Sequence, residues 1–196
     1  MPKGIPLTEE SRNKKRKEIF DIASGLFLDR GFNETSMKDI AAKTGMGKST
    51  IYDYFKNKDA IILYFLEEEM KLLNEDSRLI VESKNDEYSK LRLLIQKRIE
   101  FYKNKRSIAL LLIYQAQKLS NKSVMKWMSR REEYIKILQS VIEEGIESGL
   151  FRQVNSRFSA QSLFNLVALM FLESFKDKTE DMTDKILDLF INGIRT

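Results

Sequence analysis

After Pro6 the chain contains no proline. Proline removes a backbone donor and clashes with the preceding turn, so every later segment is free to run as uninterrupted helix. Only eight glycines in 196 residues, with 32% charged residues, point the same way. The expected class is all-α, with no sheet. A hydrophobic content of 42% is enough for a sizeable core. There is no cysteine and no histidine, which removes disulfides, thiolate metal sites and the commonest general base. No carboxylate pair stands out either, so the reading is not an enzyme, with no cofactor and no metal. The greasiest stretch, "LFNLVALMFL", is about half of the ~20 residues that span a bilayer, and "MPKGIPLTEE" lacks an apolar signal region. No membrane role and a cytoplasmic location are expected.

Apolar spacing divides the chain into a small N-terminal unit, residues 1–56, and a larger body, residues 57–196. Ile19, Ile22, Ala23, Leu26 and Phe27 predict a first helix over about Ser11 to Arg30, stopped by Gly31. Thr35 and Ser36 offer N-cap hydroxyls for a short helix over Met37 to Lys43, with Asp39 in its first turn. A third helix covers Lys48 to Phe55, and a long fourth runs from Asn57 or Lys58 to about Ser83. Further helices are expected near Glu87 to Lys103, Ser107 to Leu119, Ser123 to Ser148, Arg157 to Lys176 and Met182 to Ile194, separated by polar breaks. The run "RNKKRK", Arg12 to Lys17, loads positive charge onto the start of the first helix, against its dipole. It is either a solvated arm or a contact to a phosphate backbone.

The stretch "GMGKST" imitates the end of a phosphate-binding loop. That loop needs G-x-x-x-x-G-K-[ST] after a strand, whereas the first glycine position here is Ala42 and the preceding "MKDIAAKT" is helix-forming. Two short helices joined by a tight turn explain the same residues. Such a pair needs a small residue at the close approach, a glycine able to take positive φ, and apolar residues to seal the contact. Ala41, Gly45, and the set Ile40, Met46, Ile51 with Tyr54 or Phe55 supply them. Gly47 is expected to let the second helix start close to another backbone. Lys48, Ser49, Thr50 and Tyr52 then project from a helix suited to a major groove.

The stretch "TSMKDIAAKTGMGKSTIYDYFKNKDAIILYFL", together with "LFLDRGF" before it, closely resembles the N-terminal signature of the TetR family of bacterial transcriptional regulators. The likeness covers about residues 15–66, without gaps. It implies an all-helical homodimer in which a three-helix DNA-binding domain joins a ligand-binding and dimerisation domain. It further implies a repressor released from a palindromic operator by a small molecule. Carried over position by position, Lys38 and Thr50 match base-reading positions, and Ser36, Tyr52 and Lys58 match phosphate-contacting ones. Lys48 and Ser49 are placed for either. Packing of Tyr52 on Phe55, and plain solvation of Lys58, are the bland readings. Tyr54 departs from the histidine that some members carry there.

The body is less specific. In "FSAQSLFNLVALMFLESF" the apolar residues Leu163, Phe164, Leu166, Val167, Met170, Phe171 and Phe175 cover more than one helix face. One face suits a core and the other a partner subunit, with Ile186 and Phe190 of the last helix packing beside it; an ordinary single-chain core is the alternative. The expected dimer residues are Leu163, Val167, Met170, Phe171, Ile186 and Phe190. Phe101, Tyr102, Tyr114, Gln115, Trp127 and Met128 are the expected lining for a mostly hydrophobic effector, each also suited to plain core. Glu173 suits a cationic ligand or an interface rim. A helix-turn-helix module without an effector is the competing function.

Overall fold

The computed structural model describes residues 8–104, 121–170 and 179–194. Among them are eight α-helices: α1 (Glu9–Arg30), α2 (Met37–Lys43), α3 (Lys48–Tyr54), α4 (Lys58–Val81), α5 (Glu87–Asn104), α6 (Asn121–Glu147), α7 (Ser156–Met170) and α8 (Thr179–Ile194). No described residue lies in a strand beyond an isolated bridge at Phe151. The segment expected as a helix over Ser107 to Leu119 lies outside the described residues, as do Tyr114, Gln115, Phe171 and Glu173.

Side-chain caps set most of the helix starts. Helix α1 begins two residues earlier than expected because the Thr8 hydroxyl accepts from the Ser11 N–H and Glu9 and Glu10 favour the positive end of the dipole. At its other end Gly31, at φ 96°, donates its N–H to the Phe27 carbonyl. Asn57 caps α4 by accepting from the Ala60 N–H, and Asn155 caps α7, moving its start to Ser156. Helix α6 closes on Gly149, at φ 77°, whose N–H meets the Ile146 carbonyl.

Two apolar cores result. The first gathers α1, α2, α3 and the opening of α4 around Ile19, Ile40, Ile51, Phe55, Ile61 and Ile62, with Phe20 and Phe65 stacked at 4.4 Å. The first core therefore uses α4 residues beyond the expected boundary at residue 56. The second gathers the rest of α4 with α5 to α8 around Leu94, Ile95, Ile99, Tyr134, Leu138 and Leu163. Helix α6 packs between α4 and α7, and α5 lies along α8.

Several residues expected at a subunit interface lie in this second core instead. Leu163, Val167 and Ile186 are each 1% exposed within the single chain. Helices α7 and α8 each carry two apolar faces, and these residues belong to the inner one. The outer face is formed by Phe158 and Leu189, 69% and 67% exposed, with Leu166 and Phe190 half-buried beside them. These four and Ser162 line an open groove between α7 and α8.

Candidate nucleic-acid interface and effector site

The α2–α3 unit is built by its turn. Thr44 donates its N–H to Ile40, Gly45 to Ala42 and Met46 to Ala41. Gly45 sits at φ 69°, a conformation that costs other residues roughly 1–2 kcal/mol. Ala41 is buried at the approach, and Ile40 and Ile51 are fully buried beneath it. Gly47, by contrast, has no backbone close to it. A Cβ there would meet only the Thr50 hydroxyl at 3.4 Å, so its role is a plain extended N-cap.

With Ile51 turned inward, α3 presents Lys48, Ser49, Thr50 and Tyr52 to solvent, Tyr52 at 44% exposure. Lys38 is exposed on α2. These five groups share a small, rigid pair of helices and supply ammonium, hydroxyl and phenol donors. Such a set can meet phosphates and base edges together.

Two of the residues expected at phosphates also make contacts within the chain. The Ser36 hydroxyl accepts from the Asp39 N–H and donates to its carboxylate, while that carboxylate accepts the Ser36 N–H. This is a closed capping box, and the bonds from Ser36 hold the Asp39 carboxyl below the usual aspartate range. Ser36 thus aims α2 but has no hydroxyl proton left to donate. Lys58 donates to the carbonyls of Phe32 and Asn33 and lies 4.5 Å from the Phe32 ring centroid. It pins the α1–α2 loop to the start of α4.

The basic run also resolves into parts. Arg12 donates to the Asp53 carbonyl at 2.8 Å, at the end of α3. The Arg16 guanidinium lies about 5 Å from both the Phe55 and Tyr64 rings, at 5.0 and 4.9 Å. Lys15 pairs with Glu18, and Lys14 and Lys17 are exposed. Sequence reasoning missed that Arg12 and Arg16 fix α1 against α3 and α4. Their spacing of four, continued by Ile19 and Ala23 on the buried face, was the available signal.

In the body, Phe101 meets Tyr102 edge-on at 5.2 Å. Met128 is half exposed near the start of α6, one heptad before the buried Ile135. Trp127 and Met170 lie on α6 and α7. Tyr134 is buried, donates to the Leu94 carbonyl at 3.0 Å, and its phenol is pushed well above the usual range by burial. Arg98, absent from the expectations, is 2% exposed beside it. The sequence placed it on the apolar face of α5, in register with Leu91, Leu94, Ile95 and Tyr102.

Comparison with known proteins agrees with this geometry at both ends of the chain. Residues 19–65 match the bacterial regulatory proteins of the tetR family, and residues 84–194 match the tetracyclin repressor-like C-terminal domain. The chain is 24% identical over 190 residues to the fatty acid metabolism regulator protein of Bacillus subtilis, covering 94% of this chain and 98% of that one. Among the solved structures that share the fold are two with bound ligands. FadR from Bacillus subtilis in complex with stearoyl-CoA has a TM-score of 0.78 at 23% identity, covering 91% of this chain and 99% of that one. AibR in complex with isovaleryl coenzyme A and operator DNA has a TM-score of 0.72 at 21% identity, with 89% and 97% covered. With a helix-turn-helix head and a helical body each matched along most of its length, the chain belongs to the tetR family of bacterial regulatory proteins.

Proposed function

We propose that the protein is a DNA-binding transcriptional repressor, held on a palindromic operator as a homodimer and released when a mostly hydrophobic small molecule enters its body. The observation that carries the reading is the α2–α3 unit: an exposed row of Lys48, Ser49, Thr50 and Tyr52, with Lys38 beside it, on a buried Ile51 and a left-handed Gly45. Lys38 and Thr50 read bases. Tyr52 contacts phosphate, and Lys48 and Ser49 either support it or reach base edges. Ser36 and Lys58 hold the frame. One head spans few base pairs, so specificity requires two heads at a fixed spacing. The outer apolar face of α7 and α8, at Phe158, Leu166, Leu189 and Phe190, is the surface that pairs the subunits. Support for an effector comes from the coenzyme A esters bound by the two similar structures.

Selection of bound fragments from a random DNA pool, followed by affinity measurements on the recovered site, tests the reading. A palindrome with half-sites about one helical turn apart is expected. Thr50→Ala and Lys38→Ala should each lose about 1–3 kcal/mol of discrimination at particular base pairs while nonspecific binding persists. Recovery of no common sequence would reject the operator. Release of DNA by an added apolar ligand separates a repressor of this kind from a module without an effector.

A further inference from the structure

Arg98 is the one charged side chain in the buried core among the described residues. Its Cζ lies 3.2 Å from the Phe164 ring centroid, 5.3 Å from that of Tyr134 and 5.6 Å from that of Tyr102. Nη2 donates to the Tyr102 hydroxyl at 3.3 Å. Nη1 is buried with no hydrogen-bond partner, and Arg98 forms no ion pair with a described residue. A second guanidinium shares the same ring: the Cζ of Arg131 is 4.7 Å from the Phe164 centroid, and its Nη2 donates to the Asn165 side chain at 3.2 Å. Burial, and then the charge of Arg98, hold the Arg131 pKa below its ordinary value. Aromatic faces offset part of the cost of a buried guanidinium. Glu132, which also acts on Arg131, is forked by Arg157, so the repulsion between the two guanidiniums about one ring calls for a further anion. A neutral acceptor would satisfy Nη1 without relieving that repulsion. Carboxylate geometry matches a guanidinium fork, and the three rings packed about Arg98 leave its Nη1 as the unmet donor there.

We propose that Arg98, with Arg131 beside it, binds the carboxylate of an apolar acid in the body, so that the effector of this regulator is an amphipathic carboxylate. The proposal rests on the reading above that the body admits an apolar effector. The test is calorimetric titration of the full-length protein with dodecanoate, dodecanol and dodecanoyl-CoA, alongside thermal melting and a separate operator-release assay. Dodecanoate should bind about tenfold or more tighter than dodecanol. Arg98→Met should erase that preference while still binding dodecanol, and should raise the melting temperature of the ligand-free protein, because an unmatched buried charge is gone. Arg131→Met, at a half-buried position, should weaken the preference partly and serves where Arg98→Met fails to fold. Equal binding of acid and alcohol, preference retained in both variants, or binding of the coenzyme A ester alone would overturn the assignment. Dodecanoate that binds through Arg98 without releasing operator would leave the site standing and overturn the repressor reading instead.

Discussion

The two cores are closed in different ways. Around the head, most element ends are set by contacts within ten residues, although Arg12 and Lys58 also tie it together across 41 and 26 positions. Ser36 and Asp39 box α2, Thr35 donates back to the Leu26 and Gly31 carbonyls, Gly45 turns the chain, and Asn57 starts α4. In the body the fastening side chains are far apart in sequence. Arg92 meets Asp184, Lys90 meets Glu144, Arg157 forks onto Glu132, and Asn74 bridges to the Arg130 carbonyl and Glu133. Short-range contacts fix the ends of the elements that carry the reading helix, whereas the body is tied mainly by side chains between helices distant in sequence. A reader of DNA needs the first property, and a body that responds to a ligand needs the second.

The largest expected effect comes from breaking the head alone. Ile51→Asp places a carboxylate in a fully buried position and should cost about 3–5 kcal/mol or more. Operator binding should vanish while the body retains its helices, seen as loss of part of the circular dichroism signal and a separate melting step. A single cooperative loss of all helix would mean that the cores are not separable. Next, Val167→Glu and Leu189→Glu distinguish the two faces of the C-terminal helices. The first should unfold the protomer at a cost of several kcal/mol, and the second should leave it folded but monomeric by sedimentation. A dimeric Leu189→Glu variant would move the interface off this face.

Smaller effects test the local closures. Gly45→Val forces a β-branched residue into a left-handed turn and should destabilise the head by about 1–2 kcal/mol, with a matching fall in its melting temperature. Ser36→Ala should cost about 1 kcal/mol and reduce affinity for all DNA sequences alike. Smallest is the acid response of the same box. The Asp39 pKa is lowered on folding, so its contribution is present above the ordinary aspartate value and declines as pH falls toward the lowered folded value. Asp39→Asn should flatten that acid limb in melts collected across pH, and an unchanged limb would remove the box from the stability of α2.

The same contrast decides how far the sequence could be read. Helix identities in the head, the turn at Gly45 and the burial of Ile40, Ala41 and Ile51 follow from residues within a few positions of one another, and all were legible. So were the bounds of α5 and α6 to within about two residues, the usual scatter at fraying ends, whereas α8 starts three residues before the expected Met182. The expected helix over Ser107 to Leu119 and the stretch expected to continue α7 to Lys176 lie outside the described residues. Which apolar face of α7 meets α6 was not legible. Leu163 and Val167 are as hydrophobic as Leu166 and Phe158, and only the position of a helix more than a dozen residues away separates them. Lys58 escaped for a similar reason. A lysine at a helix start looks solvent-bound until the Phe32 carbonyl, 26 positions earlier, is folded beside it. The buried Arg98 was legible in principle, by its register with Leu91, Leu94 and Ile95, but a charge on an apolar stripe is easily taken for a snorkelling side chain.

Helix α4 has 24 residues and, at about 1.5 Å of rise each, measures roughly 36 Å. Its first turns lie in the head core through Ile61, Ile62 and Phe65, and its later turns lie in the body core through Met70 and Leu73. No loop separates the two sets, so the change of core falls inside one continuous rod, placed as a tiller would be. A tilt of about 5° imposed at the body end sweeps a point roughly 20 Å away by nearly 2 Å, more than the tolerance of a hydrogen bond to a base edge. In the proposed homodimer, two such tillers turned oppositely by the symmetry would alter the distance between the heads by about twice that amount. The grip on DNA can therefore be lost through a change of span between two intact heads, with neither one distorted.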